Sequence, residues 1–281
     1  MQSLTAALEM SGKTDTGRVR DHNEDAILFE PDLGLVVLAD GMGGYNAGEV
    51  ASGIATQVVA EMMRAQMAAT PAHVKTAGSL WPVAHEMLML AIDRANSLIY
   101  QTAQEHAQCA GMGTTLVSAL FYNNCLAIAH VGDSRAYRLR DTKLEQLTKD
   151  HSFLQEQIDA GLVSVEEARF APYKNLVTRA VGINSAVHTE LHEYAVEPGD
   201  VYLFCSDGLS DMLEDAAIEQ LISIYADNLS QATDTLIEQA NAEGGRDNVS
   251  VVLVKINQAF AVESGIWNKF TGWLGSNGKS G

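Results

Sequence analysis

Leu35-Val36-Val37-Leu38-Ala39-Asp40-Gly41-Met42-Gly43-Gly44 is the stretch on which the reading of this chain turns. Its five leading apolar residues follow one another without a break, the pattern of a strand buried on both faces. The strand stops at an aspartate and enters a glycine-rich turn, where missing Cβ atoms let backbone approach a ligand closely. A carboxylate at such a strand end is held rigidly and points out of the core. The Gly41 carbonyl beside it is a candidate cation ligand. Taken alone, Asp40 is explained as well by a plain strand-to-helix turn with the aspartate as a cap.

The same design recurs. Val201-Tyr202-Leu203-Phe204-Cys205 is a second continuous apolar strand, and it ends in Ser206-Asp207-Gly208. Asp211 lies four residues on, so a helical turn starting at Asp207 puts both carboxylates on one face. Two like charges there cost stability unless a cation sits between them. Asp25 in Asn23-Glu24-Asp25, Asp133 in Val131-Gly132-Asp133-Ser134-Arg135 and Asp247 in Gly245-Arg246-Asp247-Asn248 complete the set. Singly, each has an ordinary explanation: a cap for Asp207, turn chemistry for Asp247, a hairpin turn for Asp133. Jointly, carboxylates gathered at one edge of a sheet make an all-oxygen cage suited to Mg²⁺ or Mn²⁺. Arg20 stands just before Glu24 and Asp25, and a guanidinium holds phosphate oxygens in bidentate fashion. Acids that hold cations beside an arginine that holds an anion point to phosphoester chemistry.

Outward from these motifs, strands are predicted over 26–30, 34–40, 114–121, 125–131 and 135–140, with a short one over 144–147. Asn123-Asn124 makes a hairpin turn. Long helices are predicted over 47–68 and 81–106, their apolar residues recurring at helical spacing: Ile54, Val58, Val59 and Met62 in the first, Met87, Leu90, Ala91, Ala95, Leu98 and Ile99 in the second. A polar helical insert covers 151–170. A strand pair over 187–194 and 200–205 is split by Glu197-Pro198-Gly199. Helices over 216–225 and 230–242 precede a last strand over 249–256. Long helices on blocks of mostly antiparallel strands make an α+β layered domain. From 258 the chain is rich in Gly and Ser, interrupted by Trp267, Phe270 and Trp273.

Composition narrows the function. The chain has 281 residues and a formal net charge of −18, which argues against a general nucleic-acid binder, since phosphate backbones need a basic face. No apolar run reaches the roughly 18 residues of a membrane span, and the N-terminus lacks the pattern of a signal peptide. Cys109, Cys125 and Cys205 are read as reduced thiols of a cytoplasmic protein. They are followed six residues later by Thr115, Val131 and Asp211, so none makes the Cys-to-Arg spacing of a cysteine phosphatase. Gly132-Asp133-Ser134 lacks the closing glycine of a serine-protease nucleophile, Arg135 standing there instead.

At this point the residues match a known family. Gly17-Arg18-Val19-Arg20 with Asn23-Glu24-Asp25, Ala39-Asp40-Gly41-Met42-Gly43-Gly44, Gly111-Met112-Gly113-Thr114-Thr115, Gly132-Asp133-Ser134-Arg135, Lys149-Asp150-His151-Ser152, Ser206-Asp207-Gly208 and Arg246-Asp247-Asn248 occur in order over residues 10 to 257. The ordered set resembles the bacterial protein phosphatase 2C type (PPM) metal-dependent serine/threonine phosphatases. The resemblance implies a four-layer α-β-β-α sandwich of two antiparallel sheets flanked by helices, in a catalytic domain over 1–257 with a flap over 151–182 and a tail over 258–281. It implies two core Mn²⁺ or Mg²⁺ ions and a third. Asp40 would bridge the core ions with the Gly41 carbonyl on one; Asp207 and Asp247 would complete the set; Glu24 and Asp25 would act through bound waters. Asp133, Asp207 and Asp211 would hold the third ion, and Arg20 the substrate phosphate. Hydrolysis of phosphoserine and phosphothreonine would proceed by direct attack of a hydroxide bridging two metals ~4 Å apart. Substrates would be phosphorylated proteins, including a cognate Ser/Thr kinase, and the enzyme a monomer. Animal members carry a histidine two residues after the bridging aspartate as the proposed general acid; Met42 stands there in this chain, which leaves His22 and His151 as the nearby histidines in sequence. The alternative from another class is a non-catalytic relative that kept the fold as a regulatory or binding module, and such relatives lose metal aspartates that this chain retains.

Overall fold

The computed structural model describes residues 4–44, 46–164, 167 and 176–262. Leu35–Met42 (β3) is the strand read from the opening stretch, and Leu35 to Ala39 are fully buried. It pairs on one side with Asp25–Glu30 (β2) and on the other with Leu116–Tyr122 (β5). Cys125–Val131 (β6) and Glu190–Ala195 (β9) extend this sheet to the order β2-β3-β5-β6-β9, and Gly113–Thr114 (β4) pairs with the end of β3. A second antiparallel sheet has the order β1-β11-β10-β7-β8, from Leu8–Asp15 (β1), Arg135–Arg140 (β7), Lys143–Gln146 (β8), Val201–Cys205 (β10) and Val249–Ile256 (β11).

Period-2 alternation makes the layers. Val36, Leu38, Ile128, Tyr202, Phe204, Val252 and Val254 point between the sheets, where Phe121 and Tyr202 meet edge to face at 5.4 Å. Removing one fully buried ring of this layer, as in Phe204→Ala, costs about 3–5 kcal/mol. The alternate residues of the first sheet, Val37, Ala39, Ala127 and Ala129, pack under Ala47–Ala69 (α1) and Val83–Glu105 (α2). Those of the second, Leu203, Cys205, Val251 and Leu253, pack under Asp215–Ile224 and Leu229–Ala242. The result is the α-β-β-α sandwich.

Several elements of the structure depart from the sequence reading. β1 was not expected: Leu8–Asp15 is rich in polar and small residues and only Leu8 in it is buried, because it is an edge strand beside β11. On α1 the fully buried stripe is Ala51, Ala55, Val59, Ala60 and Met63, with Ile54, Val58 and Met62 only partly buried beside it; small residues let the helix lie close to the sheet. On α2, Leu90 is 47% exposed and Leu88 and Ile92 take the buried positions. The polar insert is helical only over Phe153–Asp159 (α3), closed by Gly161 at φ +68°; 165–166 and 168–175 lie outside the described residues. Finally, the strands flanking Glu197-Pro198-Gly199 are not partners, since β9 and β10 belong to different sheets.

Asn123 and Asn124, at φ +48° and +56°, form the expected hairpin turn. They also receive the chain beyond β11: the Phe260 amide donates to Asn124 Oδ1 at 2.6 Å and the Val262 amide to Asn123 Oδ1 at 2.8 Å. The rest of the 258–281 tail lies outside the described residues.

Candidate metal centre

Six strand ends converge at one edge of the inter-sheet layer. Asp25 opens β2 directly opposite Asp40 near the end of β3. The parity that sends Ile27 and Leu38 between the sheets sends both carboxylates there too. Asp133 is not in a hairpin: Gly132-Asp133-Ser134 carries the chain from β6 of one sheet to β7 of the other, which sets it across the mouth of the layer. Asp207 and Asp211 share a helical turn, Asp207–Ser210, in which the Asp211 amide donates to the Asp207 carbonyl at 2.7 Å. The cap position of that turn belongs to Ser206, and that of α1 to Asn46, so neither Asp207 nor Asp40 serves as a helix cap. Asp247 arrives just ahead of β11.

Asp25 is held by serines of the opposite sheet. Ser206 Oγ and Ser250 Oγ donate to its Oδ2 at 2.8 and 2.6 Å. Its Oδ1 is buried with no hydrogen-bond partner among the described residues, and so is Oε1 of Glu24. Thr115 fixes Asp40 from both sides: its amide donates to the Asp40 carbonyl at 2.8 Å, and the Asp40 amide donates to its Oγ1 at 3.1 Å. Thr115 Oγ1 also lies 2.7 Å from Ser134 Oγ, tying Asp40 to the Asp133 crossing. Asn248 organises the loop between β1 and β2. Its Oδ1 accepts from the Glu24 amide at 2.8 Å, while Nδ2 donates to the carbonyls of Thr16 and His22 at 2.9 and 2.8 Å. The Gly41 turn is tight for a reason the sequence did not give. A Cβ there would lie 2.1 Å from the Gly48 carbonyl, so the missing side chain lets β3 meet the first turn of α1.

Ser250 and Asn248 were absent from the candidate residues. Ser250 left a trace, as the lone polar residue inside Val249-Ser250-Val251-Val252-Leu253, buried throughout. Asn248 shows in the sequence only as the residue after Asp247, a type common in turns.

The electrostatics are those of like charges forced together. Burial pushes Asp40 and Asp207 well above the ordinary carboxylate value, and neighbouring acids add to it: Asp25, Asp207, Asp133 and Asp247 around Asp40, Asp133, Asp211, Asp247 and Asp25 around Asp207. Burial raises Asp25 to about 6 against the pull of the two serines. Asp133 is also raised to about 6, by burial and by Asp150. Glu24 is raised chiefly by burial. Among the described residues a basic side chain that contacts this set directly is Arg20, whose Nη2 donates to Asp247 Oδ2 at 2.6 Å; the Arg20 side chain is 50% exposed. His22 is exposed, and its imidazole is no part of the cluster; His151 is buried against Gly132 and Glu190. Orphaned, buried carboxylate oxygens beside Asp40, Asp133 and Asp207, whose pKa values are pushed upward, suit hard divalent cations. Every sequence-predicted site residue thus lies at this one edge.

A two-sheet sandwich with helices on both outer faces and a carboxylate cleft at one sheet edge is the class of molecule this fold defines. The family model for Protein phosphatase 2C matches residues 16–252, and the chain belongs to that family. It is 37% identical over 249 residues to the serine/threonine phosphatase stp of Listeria innocua, covering 87% of this chain and 94% of that protein. Among solved structures it resembles the serine/threonine phosphatase Stp1 of Staphylococcus aureus, with a TM-score of 0.80 and 35% identity over 91% of this chain and 98% of that one. It also resembles the catalytic domain of the phosphatase PstP in complex with 2 manganese ions, with a TM-score of 0.76 and 37% identity over 89% of this chain and 98% of that one.

Proposed function

We propose that this chain is a metal-dependent protein serine/threonine phosphatase working from the cleft at the end of the inter-sheet layer. The observation that carries the reading is the pair of buried, unpartnered carboxylate oxygens, Asp25 Oδ1 and Glu24 Oε1, among acids that burial and mutual repulsion hold above their ordinary pKa. Family membership and the manganese of the PstP catalytic domain support Mn²⁺ or Mg²⁺ as the cofactor. In this reading Asp40 would serve both core ions with the Gly41 carbonyl beside it, Asp207 and Asp247 would complete that set, and Glu24 and Asp25 would act through waters. Asp133, Asp207 and Asp211 would hold a third ion. When bound, the ions supply Lewis acidity toward water and toward the phosphoryl oxygens.

The chain's own residues do the rest. Arg20, which donates to Asp247 in this structure, would be free to bind the substrate phosphate where a cation holds that carboxylate. Thr115 and Asn248 hold Asp40 and the 16–24 loop in place, which is positioning rather than chemistry. Met42, two residues after Asp40, offers no proton, so the leaving alkoxide takes one from water or from another group of the site. Since the net charge is −18, phosphorylated segments with neutral or basic flanks are the favoured substrates. A cognate Ser/Thr kinase is one such substrate. A monomer is the assembly this reading expects. The catalytic domain spans 1–257, with the flap over 151–182. Free thiols at Cys109, Cys125 and Cys205 suit the cytoplasm. No helix among the described residues is long and apolar enough to cross a membrane.

The test is hydrolysis of a phosphothreonine peptide by the purified chain with Mn²⁺, its loss with EDTA and its return when Mn²⁺ is restored. Absence of turnover at every Mn²⁺ concentration would favour the non-catalytic module instead.

A further inference from the structure

Beside the cleft the molecule holds a second cluster of ligand-type side chains. His130, His151 and Glu190 each place one nitrogen or oxygen within 4.8 Å of the others, a combination that can bind a transition metal. The hydrogen bonds decide against a cation there. The Gly132 amide donates to His151 Nδ1 at 3.1 Å, and an amide N–H can only donate, so Nδ1 carries the lone pair. The ring proton then sits on Nε2, 3.2 Å from Glu190 Oε2. Both nitrogens are committed. His130 Nε2 lies 3.0 Å from the Lys149 carbonyl, which can only accept, so that nitrogen is protonated too; Nδ1 of His130, buried without a hydrogen-bond partner among the described residues, is a single nitrogen where a metal needs several ligands. Its ring stacks on His151 with centroids 4.7 Å apart.

Instead, the cluster holds a clamp. The His151 amide donates to the Gly132 carbonyl at 2.9 Å, so both polar groups of Gly132 close on one residue. The His151 carbonyl accepts from the Thr178 amide at 2.8 Å, which joins the returning end of the flap to the same point. Gly132 sits at φ +104°, and a Cβ there would lie 2.7 Å from Thr115, so the turn fits glycine alone. The next residue is Asp133. Behind His151 stands Glu190, whose other oxygen lies 2.6 Å from His192 Nε2.

We propose that His151 is a positioning residue for Asp133: with Glu190 accepting its Nε2–H, it presents the Nδ1 lone pair that fixes the Gly132 amide and hence the direction in which Asp133 enters the cleft. This rests on the reading of Asp133 as a ligand of the third cation. The role belongs to one nitrogen, and that makes it testable. Asparagine at 151 places an acceptor near the position of Nδ1, whereas glutamine reaches toward that of Nε2.

The first measurement needs no metal and no activity. Nitrogen-15 NMR of the histidine-labelled, metal-free protein is expected to show His151 as the Nε2–H tautomer; an Nδ1–H tautomer would overturn the proposal whether or not the chain hydrolyses anything. The second is equilibrium titration with Mn²⁺. His151→Asn is expected to keep the weakest site within about threefold of wild type. His151→Gln is expected to weaken it by about 10–100-fold, the scale for groups that orient a ligand, with the tighter ions retained. Equal losses in both variants, each folded by circular dichroism, or full retention in His151→Gln, would overturn it. Should His151→Asn not fold, Glu190→Gln serves in its place: its side-chain oxygen still accepts from Nε2–H, so the weakest site is expected to survive, and its loss counts against the proposal. A wild-type chain that binds only two ions refutes the reading of Asp133, while the tautomer still decides what holds Gly132.

Discussion

Strand β10 begins and ends beside an aspartate, and the two live in opposite worlds. At its start, Asp200 accepts from Arg140 Nε and Nη2 at 2.7 and 2.6 Å, from Tyr202 Oη at 3.0 Å and from the Glu197 amide at 2.8 Å. Burial alone would raise its pKa; these bonds overcome burial and hold the carboxyl below its ordinary value. At the other end, Asp207 sits among Asp133, Asp211, Asp247 and Asp25 with the half-exposed Arg20 nearby to offset them in part, and burial and repulsion drive it up. Each aspartate stands where the chain crosses between sheets, the first near 197–199 and the second near 132–134. One crossing is closed by its own protein. The other is left electrically incomplete, which a fold tolerates only where something else binds.

The sharpest break of this contrast is to remove a carboxylate at each end. Asp40→Ala is expected to lower turnover of a chromogenic phosphoester by at least ~10²-fold at saturating Mn²⁺, while the protein stays folded. Full activity in that variant would sink the assignment. Asp200→Ala should do the reverse. It leaves the buried Tyr202 hydroxyl and the Glu197 amide without their acceptor, and an unsatisfied buried donor costs about 1–3 kcal/mol of stability; urea unfolding would read this, with activity per folded molecule unchanged.

The two ends were unequally legible in the sequence. Asp40 and Asp207 announced themselves because each stops an unbroken apolar run, a local pattern. Their company was not local: Asp25 reaches Ser206 and Ser250 across the whole length of the chain, and only the pairing of strands brings those hydroxyls near. Edge strand β1 escaped because a half-exposed strand has no continuous apolar signal. The Asp133 crossing looked like a hairpin because a sequence records that a turn occurs and not which sheet the next strand joins. Asp200 was invisible as a structural pair, since Arg140 lies sixty residues away.

Arg20 tests whether the incomplete end is completed by cations. Its bond to Asp247 is half-exposed, and such pairs are worth about 0–1 kcal/mol, so it can be exchanged for a phosphate at little cost. A charge-assisted bond to a bound phosphate is worth about 1.5–3 kcal/mol. Arg20→Ala is therefore expected to raise KM by roughly 10-fold or more, with Mn²⁺ affinity equal to wild type or tighter because Asp247 is freed. An unchanged KM would remove the phosphate role.

The smallest effect is the most direct reading of the electrostatic contrast. Asp207 is raised well above 3.8, so in the metal-free protein its stabilising contribution is present in full below the unfolded value and is lost as pH rises through the folded one. Asp207→Asn removes that dependence, because the amide never ionises. The metal-free variant should match wild type in Tm near pH 4 and exceed it increasingly above, by about 2–4 °C for each kcal/mol relieved. Taking the difference between variant and wild type cancels the buried His130 and His151, whose depressed pKa values act in the opposite sense. Mn²⁺ should erase the advantage, since a cation supplies to wild-type Asp207 what Arg140 already supplies to Asp200. A variant no more stable than wild type at pH 7 would mean that the carboxylates of the cleft are not in conflict, and the two ends of β10 would then differ in sequence alone.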